Sequence, residues 1–198
     1  DLARFHPAPP TPHAIPVIGT VAALRAEKNL GRLIRAFGQV RAGRPCRLVV
    51  AGDGPERAGL AALADGLGLG ADVTFTGHVP DTSGLYAGFD AFALSSDTEQ
   101  MPIAVLEAMG CGLPVAATDV GDVRSMLSPD NGRFVVPPDE AALASAIAAL
   151  LDDADLRTRL GAANRAQAEA AFGDAAMFAA WRALFAGQVP AGPRVAAA

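Results

Sequence analysis

The stretch CRLVVAGDGPERAGLAALADGLGLGADVTFT, residues 46–76, decides the architecture. Residues 46–51 form a short apolar run, and Gly52-Asp53-Gly54-Pro55 breaks it with a tight turn whose proline suits the first helical position. Leu60, Leu63 and Leu67 then recur at helical spacing, Gly66, Gly68 and Gly70 close the segment, and a second short strand-like run follows at 73–76. The unit reads strand, turn, helix, strand. A crossover of this kind joins parallel strands.

Working outward, further strand candidates lie at 15–21, 91–94, 115–118 and 134–136. Several are apolar throughout, as strands covered on both faces should be. Leu30, Leu33, Ile34 and Phe37 mark another crossover helix. From Pro138 onward the strands stop, and Ala-rich helical patterns occupy 141–151, 156–172 and 175–185, the last carrying the only tryptophan, Trp181. No internal repeat is visible. The pattern predicts an α/β domain with a doubly wound parallel, Rossmann-like sheet and a helical C-terminal tail. Residues 1–13, with four prolines and no periodicity, read as a linker, 14–186 as the domain and 187–198 as an irregular tail.

Composition narrows the function. The 198 residues are 51% hydrophobic and 19% charged, which with 21 glycines and 15 prolines excludes a disordered or low-complexity chain. A net charge of −5 argues against a nucleic-acid or anionic-membrane surface dominated by charge. Cys46 and Cys111 lie far apart in apolar surroundings, so neither a disulfide framework nor a zinc knuckle is expected, and a reducing compartment fits. No leader and no spanning segment is read at Asp1, and the chain looks cut from something longer. H-E-x-x-H, G-x-S-x-G and paired C-x-x-C are absent, and Gly52-Asp53-Gly54-Pro55 has neither Walker nor dinucleotide spacing.

The segment 101–117 is apolar except for Glu107. Pro102 suits the start of a short helix and Gly110 and Gly112 its end, which puts Glu107 inside it, one turn after Ile103. A carboxylate there needs a partner. Either it marks the solvent side of the helix, or it accepts hydrogen bonds from a ligand's hydroxyl pair. Glu99, in Ser95-Ser96-Asp97-Thr98-Glu99, ends a strand just before that helix starts at Gln100-Met101-Pro102. In open α/β sheets ligands bind beyond the carboxyl ends of strands, and free amides at a helix start favour an anion.

Glu99 and Glu107, with seven residues between them, stand in Ser96-Asp97-Thr98-Glu99-Gln100-Met101-Pro102 and Leu106-Glu107-Ala108-Met109, followed by Gly112-Leu113-Pro114-Val115. This resembles the E-x7-E motif of glycosyltransferase family 4, retaining enzymes of the GT-B fold, usually seen as S-x-x-E-G-x-P-x-x-x-L-E-A-M-x-x-G-x-P-V. The likeness extends over most of the chain. Asp1-Leu2-Ala3-Arg4-Phe5 is similar to the interdomain entry, residues 24–29 to R-L-x-x-x-K-N without its arginine, Ala51-Gly52-Asp53-Gly54-Pro55 to the G-x-G-P turn and Val73-Thr74-Phe75-Thr76-Gly77 to V-x-F-x-G.

The resemblance implies the C-terminal, donor-binding half of a two-domain enzyme, with the acceptor-binding half absent. It implies transfer of a hexose from a nucleoside diphosphate sugar, UDP- or GDP-linked, to an unidentified acceptor, with no cofactor and no metal. It further implies a cytoplasmic protein, peripheral to the inner face of the membrane through the missing half. Glu107 resembles the carboxylate on the ribose hydroxyls and Glu99 the one facing the donor sugar, with backbone amides around Gln100, Met101 and Pro102 reaching sugar and phosphate. Lys28 resembles the lysine that neutralises the diphosphate. A cation at the start of the helix that follows opposes the helix dipole, and a bound anion would offset that.

Gly77, His78 and Val79 resemble the loop lining the nucleobase. Two departures stand out. Ala22-Ala23 replaces the usual Gly-Arg, so either Arg25 substitutes from a shifted position or phosphate is held more weakly; and Gln100 replaces a glycine, which puts a side chain near the sugar. Asp153-Ala154-Asp155 mimics a metal-binding D-x-D but reads as helix capping. The rival readings are a non-catalytic nucleotide-binding module and another GT-B enzyme, such as a sugar epimerase or a phosphorylase.

Overall fold

A computed structural model describes residues 1–8 and 14–188. Six strands, β1 (Val17–Val21), β2 (Arg47–Ala51), β3 (Val73–Gly77), β4 (Ala91–Leu94), β5 (Val115–Thr118) and β6 (Val135–Val136), form one sheet in the order β3-β2-β1-β4-β5-β6. Every pairing is parallel. The order reverses between β1 and β4, and in open α/β sheets the place where ligands bind is the crevice beyond the carboxyl ends of the strands at such a switch point. The doubly wound sheet expected from residues 46–76 is therefore the fold.

Helices cover both faces. On one, α1 (Leu30–Gly43), α2 (Arg57–Gly66) and α6 (Glu140–Asp152) bury Leu33, Ile34, Phe37, Leu143 and Ile147 against Ile18, Leu48 and Val50. On the other, α4 (Ile103–Gly110) and α7 (Ala154–Ala171) pack with Phe92, Val105, Met109 and Val115. Side chains of this size stabilise by about 1.5–3 kcal/mol each on full burial, so the two layers supply most of the favourable free energy. The one-turn helices α3 (Ser83–Tyr86) and α5 (Val123–Met126) complete the second face, and α8 (Asp174–Phe185) follows α7. Among the described residues no helix is long and apolar enough to cross a membrane.

Several boundaries differ from the sequence expectation. Pro55 is not the first helical residue: α2 starts at Arg57, and Pro55 stands in the preceding turn while the Glu56 N–H bonds the Leu24 carbonyl at 3.0 Å. Leu67 caps α2 and is 48% exposed, so the buried stripe is Leu60 and Ala64, with Leu69 added after the turn. β1 begins at Val17, whose N–H is taken by the Asp90 carboxylate at 2.8 Å. Phe134 closes a 3-10 turn, Pro129–Phe134, and so precedes β6. Asp139 and Asp153 cap α6 and α7 by accepting from Ala142 and Leu156 N–H, the role expected of Asp153.

The glycine turn after β2 is a splice between loops. Gly52 has φ +133°, and a Cβ there would sit 1.9 Å from the Ala22 carbonyl oxygen. The Ala22 and Leu24 amides bond the Ala51 and Asp53 carbonyls across this contact, which anchors the loop leading to Lys28. Residues 1–8 lie against the domain, with Phe5 buried and the Arg165 guanidinium donating to the Phe5 and Gly110 carbonyls at 2.7 and 2.6 Å. The remainder of the expected linker, residues 9–13, and most of the expected tail, 189–198, lie outside the described residues. Both thiols are buried and unpaired, and desolvation pushes the Cys111 thiol up to about 11.

Candidate functional site

Lys28 and Glu99 flank the crevice, one after β1 and the other after β4, and the fold brings them together. The Lys28 ammonium donates to Glu99 Oε1 at 2.8 Å, and the Ser96 hydroxyl donates to the same oxygen at 2.7 Å. Side-chain exposure is 25% for Lys28 and 8% for Glu99, so the pair is largely desolvated, where charge-assisted bonds are stronger than in water.

The Lys28 loop is held by local chemistry. Residues Ala26–Lys28 form one 3-10 turn, and Asn29 leaves it in the left-handed region at φ 40°, the only positive φ of a non-glycine residue among those described. Its side chain caps α1 by accepting from Arg32 N–H at 3.1 Å and donates to Asp97. Arg32 pairs with Asp97 at 2.6 Å and donates to the Ser95 carbonyl at 2.8 Å, while Asp97 N–H bonds the Glu27 carbonyl at 2.9 Å. Desolvation would raise the Asp97 carboxyl, but the Asn29 and Arg32 bonds outweigh it and hold it below its ordinary value. The β1 and β4 loops are thus stapled to each other.

The entrance to α4 supplies donors. Among the described residues no acceptor takes the Gln100, Met101, Ile103 or Ala104 N–H groups. Pro102 has no N–H; it is the buried N-cap of α4, so it shapes the turn while its neighbours present the amides. The side chains of Gln100 and Met101 are exposed. Gly121, at φ +53°, lets the loop after β5 press on this segment: a Cβ there would sit 2.2 Å from the Glu99 carbonyl oxygen, and the Asp122 N–H bonds the Gln100 carbonyl at 2.9 Å.

Glu107 lies inside α4, half-buried, and its partner is Tyr86, whose hydroxyl donates to Oε2 at 2.7 Å. It neither simply faces solvent nor lacks a partner. Gly77, at φ +74°, ends β3, and the exposed His78 and half-buried Val79 line a cavity of about 280 Å³ with Val21, Ala23, Gly52 and Thr82. Ala23, where the resemblance expects an arginine, lies on that wall. Arg25 lines a different groove, between α1 and α2 with Glu56 and Leu63, and has no ion pair among the described residues. The fold thus joins Lys28, Glu99 and the α4 amides and sets Arg25 apart.

A family model described as glycosyl transferases group 1 matches residues 3–167. The chain belongs to this family. It is 37% identical over 150 residues to the alpha-D-kanosaminyltransferase of Streptomyces kanamyceticus, covering 73% of this chain and 39% of that one. It is 32% identical over 191 residues to a GDP-mannose-dependent phosphatidylinositol monomannoside mannosyltransferase of Corynebacterium glutamicum, covering 86% and 50%. Among solved structures it superposes on a sucrose-phosphate synthase from Thermosynechococcus elongatus with a TM-score of 0.84 and 27% identity, over 95% of this chain and 51% of the other. The chain spans about half the length of the proteins it matches, and the sheet is one Rossmann-like half of the GT-B fold.

As a group 1 glycosyltransferase chain, it also carries Tyr86, which sequence reasoning passed over, and a lysine whose uniqueness it did not use. Tyr86 is the only tyrosine and Lys28 the only lysine in the chain, the other 15 basic residues being arginine. Each singleton is a signal, because Lys offers a compact point charge where Arg offers a planar fork. The left-handed backbone of Asn29 and its cap on α1 emerge only in the fold, since φ is not written in a sequence.

Proposed function

We propose that this chain is the donor-binding half of a retaining glycosyltransferase that moves a hexose from a UDP- or GDP-linked sugar to an acceptor held by the rest of a longer protein. The observation that carries the reading is the meeting of Lys28, Glu99 and the free amides of Gln100, Met101, Ile103 and Ala104 at the switch point of the sheet. A diphosphate suits those amides and that cation, and its arrival would draw Lys28 away from Glu99 and leave the carboxylate to accept from sugar hydroxyls. Glu107 takes the ribose diol, and the cavity beside His78 and Val79 takes the base.

As the bond from the anomeric carbon to the diphosphate oxygen breaks, negative charge grows on the departing diphosphate. Lys28 and the amides are already in place for it, so stabilisation costs little reorganisation. Side chains and amides do this work without a divalent cation. The name of the GDP-mannose-dependent relative supports a nucleoside diphosphate sugar as donor.

A panel of UDP-, GDP- and ADP-sugars read by thermal shift tests the proposal. One nucleotide class should raise the melting temperature in a concentration-dependent way, because a ligand that binds only the native state stabilises it. No shift with any of them rejects the donor site. The non-catalytic reading draws on one observation, the absence of an arginine at Ala23. It predicts nucleotide binding without sugar transfer even when the rest of the protein is present.

A further inference from the structure

Tyr86 ends α3, the one-turn helix in the crossover from β3 to β4, and is fully buried. Phe5 meets its ring edge-on at 5.8 Å, Phe89 lies at 5.8 Å and Phe92 at 6.0 Å. A ring enclosed in this way has one orientation, and its hydroxyl is fixed with it. That hydroxyl leaves the aromatic box toward α4, 2.7 Å from Glu107 Oε2, with the Ala104 carbonyl a weaker second neighbour at 3.4 Å. Desolvation, then the bond to Glu107 and its charge, keep the phenol protonated far above its ordinary range. The Tyr86 hydroxyl therefore keeps its proton and donates a hydrogen bond to this carboxylate.

A glutamate side chain left to itself samples many rotamers and loses that freedom on binding a ligand. Here Oε2 is tied to a rigid group and Oε1 has no partner among the described residues. We infer that Tyr86 is a positioning residue for nucleotide recognition: by pinning Oε2 it orients the Glu107 carboxylate toward a ribose diol before the ligand arrives. The inference rests on the reading of Glu107 as the ribose acceptor. Its effect is on binding, by reducing the ordering that binding requires, and not on the bond-breaking step.

Tyr86→Phe keeps the ring and removes one oxygen. Calorimetric titrations with UDP, GDP and their 2′-deoxy counterparts would compare the wild-type chain, Tyr86→Phe, Glu107→Gln and the double variant. The wild type should prefer the ribonucleotide. Tyr86→Phe should weaken ribonucleotide binding by about five- to tenfold, up to about 1.4 kcal/mol, and weaken the deoxynucleotide, which keeps only the 3′-hydroxyl, distinctly less. Because Tyr86 acts through Glu107, the double variant should bind no more weakly than Glu107→Gln alone.

Wild-type preference retained in Tyr86→Phe overturns the inference, and so does an equal loss for both sugars, which marks a purely structural role. A wild type that binds nucleotide without preferring ribose, together with an inert Glu107→Gln, overturns the assignment of Glu107 and the inference with it. Since Tyr86 is the only tyrosine, label at its hydroxyl-bearing ring carbon gives one carbon resonance in the unaltered chain. That resonance should move when ribonucleotide binds, and a stationary signal at saturation overturns the inference without any variant.

Discussion

Lys28 carries a charge that the structure shows engaged with Glu99 and that the proposed function needs for a diphosphate. Pairing in a site only 8% exposed at the carboxylate suits an exchange of partners, since neither group is left alone and desolvated in either state. Being the only lysine makes it directly observable. Reductive methylation with labelled formaldehyde keeps the charge and marks only Lys28 and the amino terminus of the 198-residue chain. The Lys28 methyl signal should shift on saturation with whichever of UDP or GDP binds, and the terminal signal should stay in place. An unmoved Lys28 signal would remove it from the phosphate site.

At the scale of elements, the site depends on how the β1 and β4 loops are joined. Asn29 has two duties there, a left-handed backbone and a cap on α1 with a further bond to Asp97. Alanine fails at both: the left-handed region costs about 1–2 kcal/mol without glycine or asparagine, and a lost cap typically about 1 kcal/mol more. Glycine accepts the backbone and is itself a fair cap. Denaturant unfolding should therefore rank wild type above Asn29→Gly above Asn29→Ala, with alanine about 2–3 kcal/mol down by these magnitudes and glycine less than about 1 kcal/mol down. Equal costs for the two variants would show that the turn does not strain its residue. Asp97 adds a pH dependence. Its folded carboxyl lies below the ordinary value, so its contribution is present above about pH 4 and fades as the pH falls below that.

The described residues form one layered α/β domain, and the relatives it matches are about twice as long as the chain. On the proposed reading, a crevice at the end of one such domain would hold a donor from one side only. The 198-residue chain should bind nucleotide in the presence of EDTA and yet transfer no sugar from a nucleotide sugar to added acceptors. Binding lost to chelation and restored by magnesium or manganese would refute the assignment of charge neutralisation to Lys28 and amides. Robust turnover by this chain alone would refute the division between donor and acceptor halves.

The strand and helix order was legible because apolar runs and helical periodicity repeat with few interruptions, and burial on both faces leaves that mark on residues 46–51, 91–94 and 115–118. The family was legible from the resemblance carried by the Glu99–Glu107 segment and its flanking motifs, and that resemblance named Glu99, Glu107 and Lys28 as candidate site residues. Boundaries were not: Pro55 and Leu67 fell outside their expected places because the loop at Leu24 takes the Glu56 amide and the chain reverses at Gly68, and both are contacts made by folding. The partners of the charged groups were equally hidden. Lys28 meets Glu99 across 71 positions, and Glu107 meets Tyr86 across 21. Sequence periodicity reports which face of an element is buried, a property local to that element. Which hydroxyl points at which carboxylate depends on the crossing of two elements in space, and that was decided only when the sheet closed its layers around the ring of Tyr86.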